Sequence, residues 1–285
     1  MVSLFRRSPQ VVIFALLTTA FAAGAFAQVI QQQKPITPLD QPKPAAPKAS
    51  PTPAPKGVQK PTTAEDIAEL AIFFFSGGGS RDRLGQIRKT TLERGRSVFT
   101  AADGTTSSAS YQRFVIRADT LAKERIRLDQ DFPNAKYALV QNDEKIYGIY
   151  NNTVFTPRED VVRSFEYQIY HGIEAFLRYK ENDSTLEMQQ KEKLLGVDLY
   201  VIDVTDKAGR KTRFYVSAKS YRVMMLTYEE DGVKFRRKFY DYNYAQGTLV
   251  PFHTVLWADD KQIEDTEIGT VTFGQKVDEQ LFRAS

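Results

Sequence analysis

Two histidines, His171 and His253, and a few acidic neighbours are the side chains here whose types could do covalent chemistry. A histidine works as a general base or metal ligand only with a second group positioned beside it. Neither histidine has a further His or carboxylate at a recognised zinc-ligand spacing. A Ser-His-Asp triad can be assembled from distant residues, but no Gly-x-Ser-x-Gly elbow accompanies these two. Asp129 with Asp131 and Asp259 with Asp260 are acidic neighbours at turns and strand ends, where Asp is ordinary, and no EF-hand spacing is present. Gly77-Gly78-Gly79-Ser80 invites a phosphate-loop reading, yet it lacks the Lys-Ser/Thr pair and follows a helical pattern, so it reads as a link between helices. The chain has no cysteine, which removes disulfides, thiolate metal sites and a thiol nucleophile. The expectation is a non-enzymatic protein with no metal and no cofactor.

The elements that would position any site are strands. From about Gly196 to Phe273 they alternate with period two and are cut by turn residues at Ala208-Gly209, Asp231-Gly232, Gln246-Gly247 and Asp259-Asp260. The spacing predicts strands over Thr185–Lys191, Val197–Thr205, Lys211–Ser217, Tyr221–Tyr228, Val233–Tyr244, Val250–Ala258 and Gln262–Phe273. An earlier series covers Arg96–Ala101, Ser110–Ala118, Glu124–Leu128, Ala135–Gln141 and Lys145–Tyr150, ending at Asn151-Asn152. Such a meander builds a large curved antiparallel sheet.

Helical patterns are fewer. Thr63 precedes Glu65 and Asp66 as an N-cap, and a helix follows over Ala64–Phe75, then a short one over Arg81–Lys89. Pro157 opens a third helix, predicted to run unbroken to about Lys180. Val162, Phe165, Ile169, Ile173 and Phe176 recur on it at steps of three and four, the cleanest amphipathic stripe in the chain. A helix laid on the concave face of a curved sheet makes a container, which is a binding architecture.

Two strands carry readings of their own. Alternation places Val233, Phe235, Arg237 and Phe239 on one face and Tyr240, Tyr242 and Tyr244 on the other. Met224-Met225-Leu226 gives both faces of one strand an apolar residue, either because the strand is buried on two sides or because methionine lines a malleable acyl pocket.

Ahead of the sheet lie two segments of different composition. Arg6 and Arg7, the apolar run Val11–Ala22 and the small-x-small site Ala25-Phe26-Ala27 mark residues 1–27 as a secretory signal peptide, with an uncleaved N-terminal anchor as the competing reading. Residues 28–61 are rich in Pro, Ala and Lys and are expected to form a semi-extended linker, whose lysines either solubilise it or make transient contact with an anionic membrane surface. The folded domain is expected over 62–285, with 42% hydrophobic residues in the chain as a whole, enough for a core. A net charge of +4 over 285 residues, with both signs interleaved, gives no nucleic-acid footprint. The expected location is the periplasm or another compartment outside the cytoplasm.

Several stretches are similar to the bacterial outer-membrane lipoprotein-sorting (LolA/LolB-like) superfamily. They are Ser76-Gly77-Gly78-Gly79 with Leu84 and Ile87, Phe214–Ser217 leading into Tyr221-Arg222-Val223, Phe239–Tyr242 with Gly247–Phe252, and Val277–Phe282. The resemblance implies an α+β fold, an open incomplete antiparallel β-barrel with helices covering its concave face and an apolar cavity for lipid. It also implies a lipid or an acylated lipoprotein as partner, or an envelope protein in relatives that sense stress, and a basic residue controlling the lid, with Arg113, Arg117 and Arg213 as candidates. The proline-rich linker and the missing acylated cysteine depart from the carriers and acceptors of that group. With the helix as a lid, the expected ligand-binding residues are Phe74, Val162, Phe165, Ile169, Ile173, Phe176, Phe214, Phe239 and Phe252, in a monomer.

Overall fold

The computed structural model describes residues 61–283. The expected signal segment, 1–27, and all but the last residue of the expected linker, 28–61, lie outside the described residues.

Helix α1 (Ala64–Phe75) begins at Thr63, whose hydroxyl accepts from the Asp66 N–H while the Asp66 carboxylate accepts from the Thr63 N–H, a reciprocal capping box. Helix α2 (Arg81–Ile87) is capped by Ser80. Between them the backbone turns at Gly77, with φ of 67°, where a Cβ would lie 2.4 Å from the Gly247 carbonyl oxygen. Only glycine fits a left-handed position that close to another backbone.

Among the described residues, fourteen antiparallel strands form one open sheet. They are β1 (Thr90–Thr100), β2 (Thr106–Ile116), β3 (Arg125–Phe132), β4 (Ala135–Asn142), β5 (Lys145–Tyr150), β6 (Thr153–Phe155), β7 (Thr185–Met188), β8 (Glu192–Leu194), β9 (Val197–Thr205), β10 (Lys211–Ser217), β11 (Val223–Glu230), β12 (Val233–Ala245), β13 (Thr248–Ala258) and β14 (Lys261–Phe273). The order runs β6-β5-β4-β3-β2-β1-β14-β13-β12-β11-β10-β9-β7, with β8 on the edge of β9. The first and last long strands, β1 and β14, pair in the middle, so the two meanders become one curved wall. This is the open half-barrel that the strand spacing and the resemblance imply.

The main core lies on the inner face, between the sheet and the helices. Alternation sends Tyr200, Ile202 and Val204 of β9, Phe214 and Val216 of β10, and Leu226 and Tyr228 of β11 inward, against Ile67, Ala71 and Phe75 of α1. The intervening residues Leu199, Val201, Tyr215 and Met225 form a small cluster on the outer face, with Met224 beside it. The strand carrying Met224-Met225-Leu226 is thus apolar because both its faces are covered.

Four expectations need correction. The helix expected over Pro157–Lys180 is two helices, α3 (Glu159–Tyr170) and α4 (Ile173–Leu177), broken at His171-Gly172. Its physical cause is the loss of a continuous backbone ladder at Gly172, whose extended backbone (φ −88°, ψ 174°) makes it the N-cap of α4. Tyr242 does not lie on the outer face with Tyr240 and Tyr244. Asp241, at φ 50°, interrupts the alternation, and Tyr242 turns inward, edge-on to Phe75, with its hydroxyl donating to the Val223 carbonyl at 2.5 Å. The series also does not end at Asn151-Asn152. Both residues adopt positive φ, 48° and 61°, and form the two-residue turn that returns the chain as β6. The strand expected over Thr185–Lys191 stops at Met188, and a separate strand, β8, follows it.

Candidate functional site

A cavity of about 240 Å³ lies between the inner face of the β1–β3 and β12–β14 wall and the α3–α4 junction. Its floor follows from strand alternation. Tyr111, Arg113 and Val115 of β2, Ile126, Leu128 and Gln130 of β3, and Glu264, Thr266 and Ile268 of β14 all face it. Gly95 sits at a register shift in β1, and a Cβ there would lie 2.8 Å from the Tyr111 ring, so its absence lets Tyr111 lie across the wall. The Tyr111 hydroxyl then donates to Glu93 at 2.8 Å. Gln168, Ile169, Gly172, Ile173 and Glu174 form the roof.

The lining is amphipathic rather than uniformly apolar. Arg88, Arg113, Arg117 and Arg237 stand beside Glu93, Glu124, Glu174 and Glu264. Glu174, in the first turn of α4, accepts from both Arg88 and Arg117. Burial opposes its ionisation, but Arg117, Arg88 and Arg178 outweigh that and hold its carboxyl down at about 2. Arg88 goes on to donate to the Thr248 hydroxyl at 3.1 Å and to the Leu249 carbonyl at 2.7 Å, while Thr248 donates to the Phe75 carbonyl at 2.7 Å. At the other end of α4, Arg178 pairs with Glu124 and donates to the Ala118 carbonyl at 2.5 Å. Burial pushes the Glu124 carboxyl up to about 7 despite Arg178. Arg81 donates to the Leu177 carbonyl at 2.8 Å and pairs with Glu69 and Glu181 at 2.8 Å each. Helix α4 is therefore clamped at both ends by arginine.

Helix α3 is held more lightly. Its fully covered side chains are Phe165 and Ile169. Tyr167 packs on Tyr228 and Phe235 and donates to Asp231 at 3.1 Å, and Arg163 lies 3.6 Å from Asp231. Arg210 stacks 3.6 Å above the Tyr170 ring.

The structure separates the nine expected ligand-binding residues into groups. Ile169, Ile173 and Phe239 line the cavity. Phe176 and Phe214 stack on each other at 5.1 Å, fully buried in the core. Phe165 is buried beneath α3, and Val162 is half-buried on the same helix. Phe74 stacks on Tyr221 at 5.6 Å, remote from the cavity lining. Phe252 is half-buried against the cluster of Val250, Val271 and Phe273. Of the three candidate basic residues, Arg117 touches the roof through Glu174, Arg113 faces the cavity, and Arg213 pairs with Asp203 at 2.7 Å on the outer face. Arg88 and Glu174 escaped the sequence reading. The alternation Tyr111-x-Arg113-x-Val115, with Val115 as a core position, is the signal that could have placed Arg113 on the inward face.

Both histidines are held by side-chain partners outside the cavity lining. His171 is buried at the α3–α4 break, 2.7 Å from the Thr212 hydroxyl and 3.1 Å from Glu230, and stacked on Tyr228 at 4.0 Å. The Tyr228 ring covers the imidazole while Glu230 stays half-buried, and burial with help from Arg210 brings the imidazole down to about 4, Asp206 opposing. His253 lies outside the cavity lining, 2.9 Å from Asp265 and 5.2 Å from the Tyr240 ring. Among the described residues, no group of three His, Cys, Asp or Glu is placed to hold a metal ion. No helix among them is long and apolar enough to cross a membrane.

No protein-family model matches the chain, and no curated protein matches it. Solved structures do. A DUF1329 family protein from Desulfovibrio piger superposes with a TM-score of 0.57 at 12% identity, covering 78% of this chain and 98% of that one. A LolA superfamily protein from Nitrosomonas europaea gives 0.55 at 11% identity, over 78% and 98% of the two chains. An outer membrane lipoprotein-sorting protein domain from Vibrio parahaemolyticus gives 0.53 at 11%, over 77% and 97%. At such identities the likeness is one of fold, and it spans nearly the whole of each neighbour. The described residues of this chain share the fold of these three solved structures.

Proposed function

We propose that the chain is an exported binding protein that holds the acyl chain of a lipid or of an acylated lipoprotein beneath α3. The observation that carries this reading is the asymmetry of the roof. Helix α4 is clamped by Arg88, Arg117, Arg178 and Arg81, whereas α3 buries two side chains and ends at a Gly hinge. Exposing Phe165 and Ile169 costs about 1.5–3 kcal/mol each, an expense that burying an acyl chain offsets at about 25 cal/mol per Å². The cavity, about 240 Å³, falls below the roughly 300–1,000 Å³ of most ligand sites, so lifting α3 would enlarge it to take a long chain. The fold of the lipoprotein-sorting proteins and the signal-like residues 1–27 support a role outside the cytoplasm.

Native mass spectrometry of the protein purified from, or exposed to, envelope lipids tests this reading. The wild-type chain is expected to carry a lipid mass that a Phe165→Glu, Ile169→Glu chain lacks. A wild-type chain that stays empty after exposure would overturn it.

A second reading is binding of an envelope protein, and one observation favours it. Strand β6 is a free edge of the sheet, and Val154 and Phe155 on it and Tyr150 before it are exposed, an arrangement suited to pairing with a strand of another protein. Proximity labelling from a position next to β6 would find a reproducible protein neighbour if this holds, and only solvent if it does not.

A further inference from the structure

Arg113 has an environment that the rest of the cavity does not share. Among the described residues its guanidinium takes part in no hydrogen bond or ion pair, and its Nε is fully buried without a partner. Every other cavity arginine is engaged: Arg88 and Arg117 with Glu174, and Arg237 with Glu264 at 3.5 Å. Glu93, directly across on β1, is taken by the Tyr111 hydroxyl at 2.8 Å and forms no ion pair with Arg113. A half-buried guanidinium with an unsatisfied donor is costly unless something arrives to accept from it.

The surrounding charges say what arrives. Four arginines and four glutamates line the cavity, and Glu124 is neutralised by Arg178 from outside the lining. One unit of positive charge is therefore left over, on the roof side where Arg88 and Arg117 share the Glu174 carboxylate; Glu93 and Glu264 stand on the sheet side. A single negative charge is balanced there, whereas a dianion would meet both carboxylates. The guanidinium fork matches a planar carboxylate through two parallel N–H···O bonds. Around it, Val115, Leu121, Ile126, Leu128 and Ile169 supply an apolar lining.

We infer that Arg113 is the headgroup anchor of an anionic amphiphile, an alkyl carboxylate whose chain lies along Leu128, Ile126 and Ile169 with its carboxylate on the Arg113 guanidinium. This rests on the acyl-binding reading and narrows it. The arrangement orients the ligand, headgroup down on β2 and chain toward α3, and discriminates against neutral amphiphiles of the same length. No bond is made or broken.

The test is calorimetric titration of the full chain with dodecanoate, dodecanol and dodecyl phosphate, with acetate and inorganic phosphate as headgroup-only probes. Wild type is expected to bind dodecanoate at least tenfold more tightly than dodecanol, the range set by charge-assisted hydrogen bonds. R113Q is expected to lose that preference and keep its affinity for dodecanol, and R113K to retain part of it. Because R113Q breaks no hydrogen bond or ion pair among the described residues, its melting temperature is expected to stay within a few degrees of wild type, which separates lost binding from lost folding. Dodecanoate and dodecanol binding equally to wild type would overturn the anchor and leave acyl binding standing. Unchanged dodecanoate affinity in R113Q would do the same. Acetate or inorganic phosphate competing as well as dodecanoate would mark a free-anion site and overturn the amphiphile. Failure of dodecanoate and dodecanol alike would overturn the anchor and, with an empty wild type in mass spectrometry, acyl binding as well.

Discussion

Two stretches of the curved wall, β9–β11 toward one end and β1–β3 with β14 toward the other side of its middle, present contrasting inner faces. Over β9–β11 that face is Ile202, Val204, Phe214, Val216 and Leu226, buried against α1 and α4. Over β1–β3 and β14 it carries Ser97, Glu93, Arg113, Gln130, Glu264 and Thr266 and opens on the cavity. The same strand pairing and the same alternation produce both, so the sheet does not decide which stretch binds. The side chains do. One stretch is a dry anchor that fixes the helices, and the other retains polar groups whose cost is borne by that anchor.

The largest test of this division is Phe214→Ala. Phe214 is fully buried and stacked on Phe176, so its truncation is expected to cost about 3–5 kcal/mol in urea unfolding. A loss below about 1 kcal/mol would mean that the β9–β11 end is loosely packed, and the contrast would fail.

Next comes the clamp between the two stretches. Glu174→Gln leaves Arg88 and Arg117 without their carboxylate, and because Glu174 is half-buried the cost is expected at about 1–3 kcal/mol, below that of a fully buried ion pair. Amide hydrogen exchange should show the site of the damage. In wild type, α3 amides are expected to exchange before those of α4, and in the variant the two are expected to exchange together. If α3 and α4 exchange together in wild type, the clamp does not distinguish them.

Much of this was legible in residue order, and its gaps have causes. Strands β9 and β10 and helix α1 were readable to the residue, because period-two alternation ends at Gly or Asp turns and the Thr63 cap is local. The break at His171-Gly172 was not, because the apolar stripe Phe165, Ile169, Ile173, Phe176 continues in phase across it. Tyr242 was misplaced for the converse reason: a single positive φ at Asp241 flips the face without a change in residue pattern. Of the charged clamp, only Arg117 was named, and that through the resemblance alone. Arg88, Arg117 and Glu174 are ordinary surface types by sequence, and only the pairing of β1 with β14 and the docking of α4 bring them together.

The break itself supplies a pH test. His171 is held neutral by burial, at about 4 against an unfolded value of 6.5, with Thr212, Glu230, Tyr228, Arg210 and Asp206 around it. Between those values the unfolded chain binds a proton that the folded chain does not. The contribution is therefore whole above 6.5 and is lost as pH falls toward 4. From pH 6.5 to 5 the loss is about 2 kcal/mol at most. His171→Gln should flatten this part of the stability curve. An unchanged slope would assign it to other groups.

The smallest expected effect lies on the cavity wall and bears most directly on the contrast. Ser97 and Thr266 share a hydrogen bond of 2.7 Å across β1 and β14, inside the cavity lining. Ser97→Ala deletes one partner, which in a dry core would strand the other. Here Thr266 also donates to Glu264 at 2.9 Å, and the cavity beside it admits water, so the loss is expected to stay at or below about 1 kcal/mol. A cost of 3 kcal/mol or so, comparable to truncating Phe214, would show that this wall is packed as tightly as its counterpart. The polar groups would then be structural, and the binding stretch of the sheet would lose its distinction.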